Sequence, residues 1–258
     1  MINYDYTYEN IVECLKNVGL IKNDNIFIHS NLGFFGKLKN STNSVDYYNN
    51  FKNAIFEVIG KNGTLIVPTF TYSFFNKEKF DLLISSSKCG IFSEMVRLDS
   101  QSLRSMDPNF SISAIGENAE FFTKNETKHS FGPNSFWEKF LRINGKICNF
   151  NFDSGSTFFH YVEKILNVPY RYDKYFSGKI IKEKNMIEET WSHFVFDHEK
   201  KNHFPNFEKF STRAKTLELI KISNLGKGQI TCISSKDIFS LIQNELKTNP
   251  AFLIDGPV

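Results

Sequence analysis

Two short apolar runs separated by one amphipathic segment constrain this chain more than any other feature. Ile26-Phe27-Ile28 follows Asp24-Asn25 and stops at His29-Ser30-Asn31. Residues 64–67 follow Lys61-Asn62-Gly63 and are cut off by Pro68. Between these runs, residues 51–59 carry apolar side chains at helical spacing. A strand, a helix and a second strand at this interval predict a βαβ unit, and therefore two parallel strands. In such sheets, sites form beyond the carboxyl ends of the strands. His29-Ser30 and Thr69-Phe70-Thr71 fall at those ends.

The remaining pattern extends the same reading. Ile11, Val12, Leu15 and Val18 predict a helix over residues 8–18, ended by Gly19. Helices are expected over 93–98 and 136–142, and strands over 111–115 and 146–150. After Arg171 the character changes to strands at 179–181, 190–196 and 229–233, closed by a helix over 236–246. The expectation is an α/β protein with a central mixed, mostly parallel sheet flanked by helices. One domain is expected over residues 1–258, with a βαβ-type half to about 175 and a more antiparallel half after it.

Composition narrows the function classes. The net charge is only +3 and its charges are interspersed, which argues against a dedicated nucleic-acid surface. No apolar run approaches the ~20 residues needed to span a bilayer, and the N-terminus lacks the basic and apolar regions of a secretory signal. Cys14, Cys89, Cys148 and Cys232 are far apart, so neither a zinc site nor a disulfide scaffold is expected. A cytoplasmic protein with reduced thiols, no metal and no membrane or nucleic-acid partner is the expectation. The 28 phenylalanines promise a bulky aromatic interior.

The stretch Ser154-Gly155-Ser156-Thr157-Phe158-Phe159-His160-Tyr161-Val162-Glu163 carries the clearest chemistry. On a helix, Thr157, His160 and Glu163 share one face, and most of the apolar residues lie on the other. A carboxylate beside an imidazole orients the ring and stabilises its protonated form, which is what a general base needs. The same spacing also describes an ordinary solvated helix face.

Five blocks in order resemble the aminoglycoside 3-N-acetyltransferase family of CoA-dependent N-acyltransferases. They are Asp24-Asn25-Ile26-Phe27-Ile28-His29-Ser30; Gly63-Thr64-Leu65-Ile66-Val67-Pro68-Thr69-Phe70-Thr71; Arg104-Ser105-Met106-Asp107-Pro108-Asn109-Phe110-Ser111 with Ala114-Ile115-Gly116; Phe131-Gly132-Pro133-Asn134-Ser135-Phe136; and Thr157 to Glu163 with Val168-Pro169-Tyr170-Arg171. Together they cover about residues 10 to 175. The resemblance implies an α/β fold in which acyl-CoA and an amine meet in a cleft at the sheet edge. It makes His160 the expected proton acceptor, with Glu163 orienting it. Backbone N–H groups in the loop after Ile28 are expected to face the thioester oxygen. His29, Ser30, Asn31, Thr69, Thr71, Arg104 and Ser105 are the expected CoA-binding residues, and Phe70, Tyr72, Tyr170 and Arg171 the substrate-binding ones. Thr69 and Thr71 also read as ordinary strand-end hydroxyls, and Arg104 equally as an anchor for its turn through backbone carbonyls.

One departure stands out. Antibiotic-modifying members typically have His-Pro where this chain has Asp107-Pro108. As an anion, Asp107 would hold a substrate ammonium or orient His160; otherwise it is a turn residue before proline. Other candidates are weaker. His193, His198 and His203 are spaced by five, which puts consecutive members on different faces and disfavours a metal site. Cys148 reads as a core residue before it reads as a nucleophile.

Relatives of the family also acylate nucleotide-linked amino sugars during surface-glycan synthesis. Such substrates are anionic and suit a slightly basic protein better than a polycationic drug does. The expected reaction is transfer from acetyl-CoA or another acyl-CoA to a dTDP- or UDP-linked amino-deoxy sugar. Aminoglycoside acetylation is the alternative, and a catalytically inactive CoA- or sugar-nucleotide-binding protein the second. A monomer or homodimer is expected.

Overall fold

A computed structural model describes residues 4–124, 126–152, 155–183, 185–197, 204–256 and 258. In chain order the elements are α1 (Tyr8–Asn17), β1 (Asn25–Ser30), α2 (Ser44–Ile59), β2 (Thr64–Pro68), β3 (Phe80–Asp81), α3 (Ile91–Leu98), β4 (Leu103–Arg104), β5 (Ile112–Gly116), α4 (Ala119–Thr123), α5 (Phe136–Arg142), β6 (Lys146–Phe150), α6 (Phe158–Ile165), β7 (Arg171–Lys182), β8 (Asn185–Phe196), β9 (Phe204–Pro205), α7 (Glu208–Thr216), β10 (Lys221–Leu225), β11 (Gly228–Ser234), α8 (Ser235–Thr248) and β12 (Ile254–Asp255).

The βαβ expectation is met at the centre of a seven-stranded sheet of order β10-β11-β6-β1-β2-β5-β4. β1 pairs in parallel with both β2 and β6. β5 and β11 flank these strands in the opposite direction. The sheet is therefore mixed, with β10, β6, β1, β2 and β4 running one way. β1 is buried on both faces, because Ile26 and Ile28 point into one core and Phe27 into the other. α1, α2 and α3 cover the first face, and α4, α5, α6 and α8 the second.

Two boundaries differ from the sequence expectation for local reasons. α2 starts seven residues before Phe51, because the Asn43 side chain accepts from Val45 N and Asp46 N at 2.9 and 3.0 Å and opens a polar first turn. Its exit is Gly60, whose φ of 71° favours a residue without a side chain. The strands expected at 179–181 and 190–196 are the ends of a hairpin whose arms run 12 residues each, β7 and β8. Its outer part is held by polar cross-strand pairs such as Ser177 Oγ with Thr190 Oγ1 at 2.8 Å, which leave no apolar alternation to read. The hairpin pairs with β3 in a separate three-stranded sheet.

The antiparallel second half is divided mainly between that sheet and the central one. β11 adds to the edge of β6, with Cys232 opposite Cys148, so the central sheet draws strands from both ends of the chain. The connections leave β1 and β6 on opposite faces of the sheet, β1 toward α2 and β6 toward α6. The carboxyl ends of these two strands are therefore where a crevice is expected in an α/β sheet. α6 is anchored beneath that point by Phe158, Phe159 and Val162, all fully buried. Burial of each contributes about 1.5–3 kcal/mol. No helix among the described residues is long and apolar enough to cross a membrane.

Candidate active site

A cavity of about 520 Å3 opens beyond the central strands, lined by the carboxyl ends of β1 and β2, the segment after β6 and the start of α6. His29, Ser30 and Asn31 contribute one side; Ser156, Thr157 and His160 contribute another. α6 begins here because Ser156 Oγ accepts the Phe158 N–H at 3.2 Å and satisfies one donor of its first turn. The same hydroxyl lies 3.2 Å from His29 Nε2, tying the end of β1 to the helix start. Burial pushes His29 down to about 4, so it is neutral at pH 7.

His160 Nδ1 lies 2.9 Å from Glu163 Oε2, one turn along α6. The shared-face expectation is thus met in contact but not in exposure, since Glu163 is fully buried and His160 is 22% exposed. What makes a buried carboxylate tolerable is Arg171, whose Nε sits 2.8 Å from the same oxygen and is itself buried. Burial alone would raise the Glu163 pKa; the bond from His160 and the Arg171 charge outweigh it and hold it low. An ionised Glu163 accepts the Nδ1 proton of a neutral imidazole, which leaves Nε2 as the unshared lone pair. His160 is held below its ordinary pKa by burial and then by Arg171, against the opposing pull of Glu163. It is a free base at neutral pH. Phe131 and Phe207 pack against its ring, with centroids at 5.6 and 5.8 Å.

Several expected site residues belong elsewhere. Arg171 and Tyr170, expected to meet substrate, are buried behind α6; burial and the Glu163 charge raise the Tyr170 phenol. Thr69 and Thr71 are also buried, and their hydroxyls donate to the Ser111 and Pro108 carbonyls at 3.1 and 2.7 Å. The Arg104 guanidinium anchors its turn through the Leu82, Ser85 and Thr69 carbonyls at 3.2, 2.6 and 3.0 Å. Ser105 Oγ accepts the Ile112 N–H. None of these six lines the cavity.

Asp107 is not brought to His160. Its Oδ1 accepts from Asn109 N and Phe110 N at 2.9 and 2.8 Å, as a turn aspartate before proline does, and its Oδ2 accepts from Ser130. Ser130 Oγ also meets His193 Nδ1 at 2.7 Å. His198 and His203 lie outside the described residues, as do Asp153 and Ser154. Among the described residues no group of three His, Cys, Asp or Glu could hold a metal. Cys148 is a fully buried core residue beside Cys232, which rules it out as the cavity nucleophile.

Phe70, Tyr72 and Asn31 do line the cavity, together with Lys88, Cys89, Gly90, Phe152 and Phe207. Lys88 and Cys89 follow an irregular loop with no motif, and Phe207 arrives from the second half of the chain, so neither local pattern nor spacing marks them.

The model of the family described as aminoglycoside 3-N-acetyltransferase matches residues 27–247. This chain belongs to that family. Its fold is shared with solved structures, aminoglycoside acetyltransferases among them. AAC-IIIb in a binary complex with CoASH superposes with a TM-score of 0.77 at 18% identity, covering 93% of this chain and 97% of that one. Aminoglycoside acetyltransferase AAC(3)-Xa gives 0.81 at 17% identity, over 96% and 93%. YokD from Bacillus subtilis gives 0.76 at 18% identity, over 95% of each. No curated protein matches the sequence significantly. As a family member the protein is an acyl-CoA-dependent N-acyltransferase, with acyl-CoA as its co-substrate. His160 stands on the cavity wall with Glu163 buried behind it.

Proposed function

We propose that this protein transfers an acyl group from acyl-CoA to the amine of a nucleotide-linked amino-deoxy sugar, with His160 as general base. The observation that carries the base assignment is the unshared Nε2 of a neutral His160 on the cavity wall, backed by Glu163 through Nδ1. The amine attacks the thioester carbon as a free base and becomes an ammonium in the tetrahedral intermediate. His160 Nε2 takes one of its protons. Collapse breaks the C–S bond, and the thiolate leaves with the proton returned by His160. Glu163 holds the ring in one tautomer and stabilises the imidazolium, while Arg171 keeps Glu163 ionised.

The substrate class rests on charge. Lys88 is the charged side chain on the described cavity wall, and no described carboxylate lines it. A polycationic drug calls for carboxylates, whereas a nucleotide diphosphate calls for cations and aromatic faces, which Phe70, Tyr72, Phe152 and Phe207 offer. Acetylation of an aminoglycoside is the second reading, favoured by the family to which the chain belongs.

A thiol-release assay crossing several acyl-CoAs with dTDP- and UDP-linked amino sugars and with aminoglycosides tests both. Saturable turnover with a nucleotide-linked sugar is expected. Turnover with an aminoglycoside alone overturns the substrate choice. Thiol release undiminished in His160→Asn overturns the base assignment, and CoA binding without turnover of any amine favours an inactive binding protein.

A further inference from the structure

The reaction places negative charge on the thioester oxygen, and a base on the amine does nothing for that charge. The loop after β1 is where backbone donors are expected, but its first N–H, that of Asn31, is given to the Phe150 carbonyl at 2.8 Å. Across the cavity, the N–H groups of Lys88 and Cys89 are likewise given to Phe70 O and Ser87 Oγ, at 2.8 and 3.1 Å. Those backbone donors are unavailable to a substrate oxygen.

Ser30 differs from all of them. Its Oγ is buried and has no hydrogen-bond partner among the described residues, yet the residue lines the cavity with His160. Neighbouring positions on a strand point to opposite faces of the sheet. His29 turns toward α6, where it meets Ser156. Ser30, the next residue, takes the other face by the same alternation, and Gly90 lies near its carbonyl, where a Cβ would come within 3.9 Å. The cavity is thus lined both by His160 and by Ser30, the residue that carries this unpaired hydroxyl donor. A buried hydroxyl without a partner is unfavourable, and a ligand oxygen that accepts its proton removes the penalty.

We propose that Ser30 is a catalytic residue of this acyl transfer, its hydroxyl donating to the thioester oxygen as the amine adds. The N–C bond forms while the carbonyl π pair moves onto that oxygen, which becomes an alkoxide held by the Ser30 O–H. When the pair returns, the C–S bond breaks and the thiolate departs with the proton relayed through His160. Ser30 keeps its own proton throughout. The proposal rests on the acyl-transfer reading with His160 as base.

Steady-state kinetics of Ser30→Ala, Ser30→Thr and His160→Asn, with acetyl-CoA and the amine turned over by the wild type, test it. In Ser30→Ala, kcat is expected to fall about 100-fold while KM for acetyl-CoA stays within about twofold, as for loss of one oxyanion donor. Ser30→Thr retains a hydroxyl and is expected to recover most of the lost kcat. The acidic limb of the pH profile should stay where His160 puts it in both. An unchanged kcat in Ser30→Ala, or a loss carried wholly by KM for acetyl-CoA, overturns the proposal, the latter assigning Ser30 to CoA binding. An inactive Ser30→Ala beside a fully active His160→Asn overturns the base reading and leaves the Ser30 donor standing. If Ser30→Ala fails to fold, Ser30→Cys, close in size with a weaker donor, carries the same kcat test.

Discussion

His160 on α6, part-exposed, and His193 on β8, buried, are both imidazoles in contact with a carboxylate network, and desolvation is the main cause that holds each below its ordinary pKa. They differ in what is left over. The Asn109 side chain accepts from Phe74 N and Phe75 N through Oδ1, which fixes its Nδ2 as the donor to His193 Nε2 at 2.7 Å. His193 Nδ1–H then donates to Ser130 Oγ, and the Ser130 hydroxyl donates in turn to Asp107 Oδ2. Every polar atom of that ring is used, so the network clamps the β7–β8 hairpin onto the loops at 107–110 and 129–130. His160 has one nitrogen satisfied by Glu163 and the other without a hydrogen bond among the described residues, on a residue that lines the cavity. Nearness of histidine to carboxylate is common to both; an unshared ring nitrogen on a cavity-lining residue belongs to one.

The contrast can be broken most directly at the rings themselves. His160→Ala is expected to lower kcat by about 10²–10⁴-fold, the usual worth of a positioned base, with CoA affinity kept, as measured by steady-state kinetics and calorimetry. Glu163→Gln should lower kcat by about 10²-fold through misplacement of the ring. It should also move the acidic limb of activity to lower pH, because Glu163 raises the His160 pKa. Arg171→Gln predicts the opposite displacement. Its charge lowers the His160 pKa, so its loss raises that pKa, and activity falls away at higher pH as the solution is acidified. The same change leaves the buried Glu163 without its cationic partner, at a cost of about 3–5 kcal/mol in chemical denaturation. His193→Ala should leave kcat within a few fold and lower stability by about 2 kcal/mol, because Ser130 and Asn109 lose a buried partner. A large loss of kcat in folded His193→Ala would erase the distinction between the two rings.

Acid should also weaken the native state at β1. The His29 pKa is depressed to about 4, while in the unfolded chain it is near 6.5. The unfolded chain therefore binds the proton first, and the stability held above about pH 6.5 is lost as the pH falls toward 4. A His29→Gln variant should flatten this part of the melting-temperature profile.

Much of this was legible from local pattern. The βαβ unit, β6 and α6 follow from apolar spacing, and the contact of His160 with Glu163 follows from their separation by three residues on a helix. Arg171 was not legible as a partner of Glu163, because its place depends on where β7 starts after the Val168-Pro169 turn. Asp107 stayed open between a site role and a turn before proline, because its surroundings are decided by Ser130 and His193, which arrive from distant parts of the chain. Thr69 and Thr71 sit at the strand end as expected, yet the loop through Pro108 and Ser111 closes over their hydroxyls. Polar surface segments hid α7 altogether, since Phe210 and Ala214 are its only buried apolar residues.

β6 carries a ladder on each side, one to β1 and one to β11. During synthesis, His160, Glu163 and Arg171 are all made well before Gly228 emerges. Until then β6 stands as an open sheet edge directly upstream of the helix that bears the base. Such an edge invites pairing with another chain. The arrival of β11 therefore closes this edge: a chain stopped short of residue 228 would hold His160 and Glu163 and still leave β6 open to another chain.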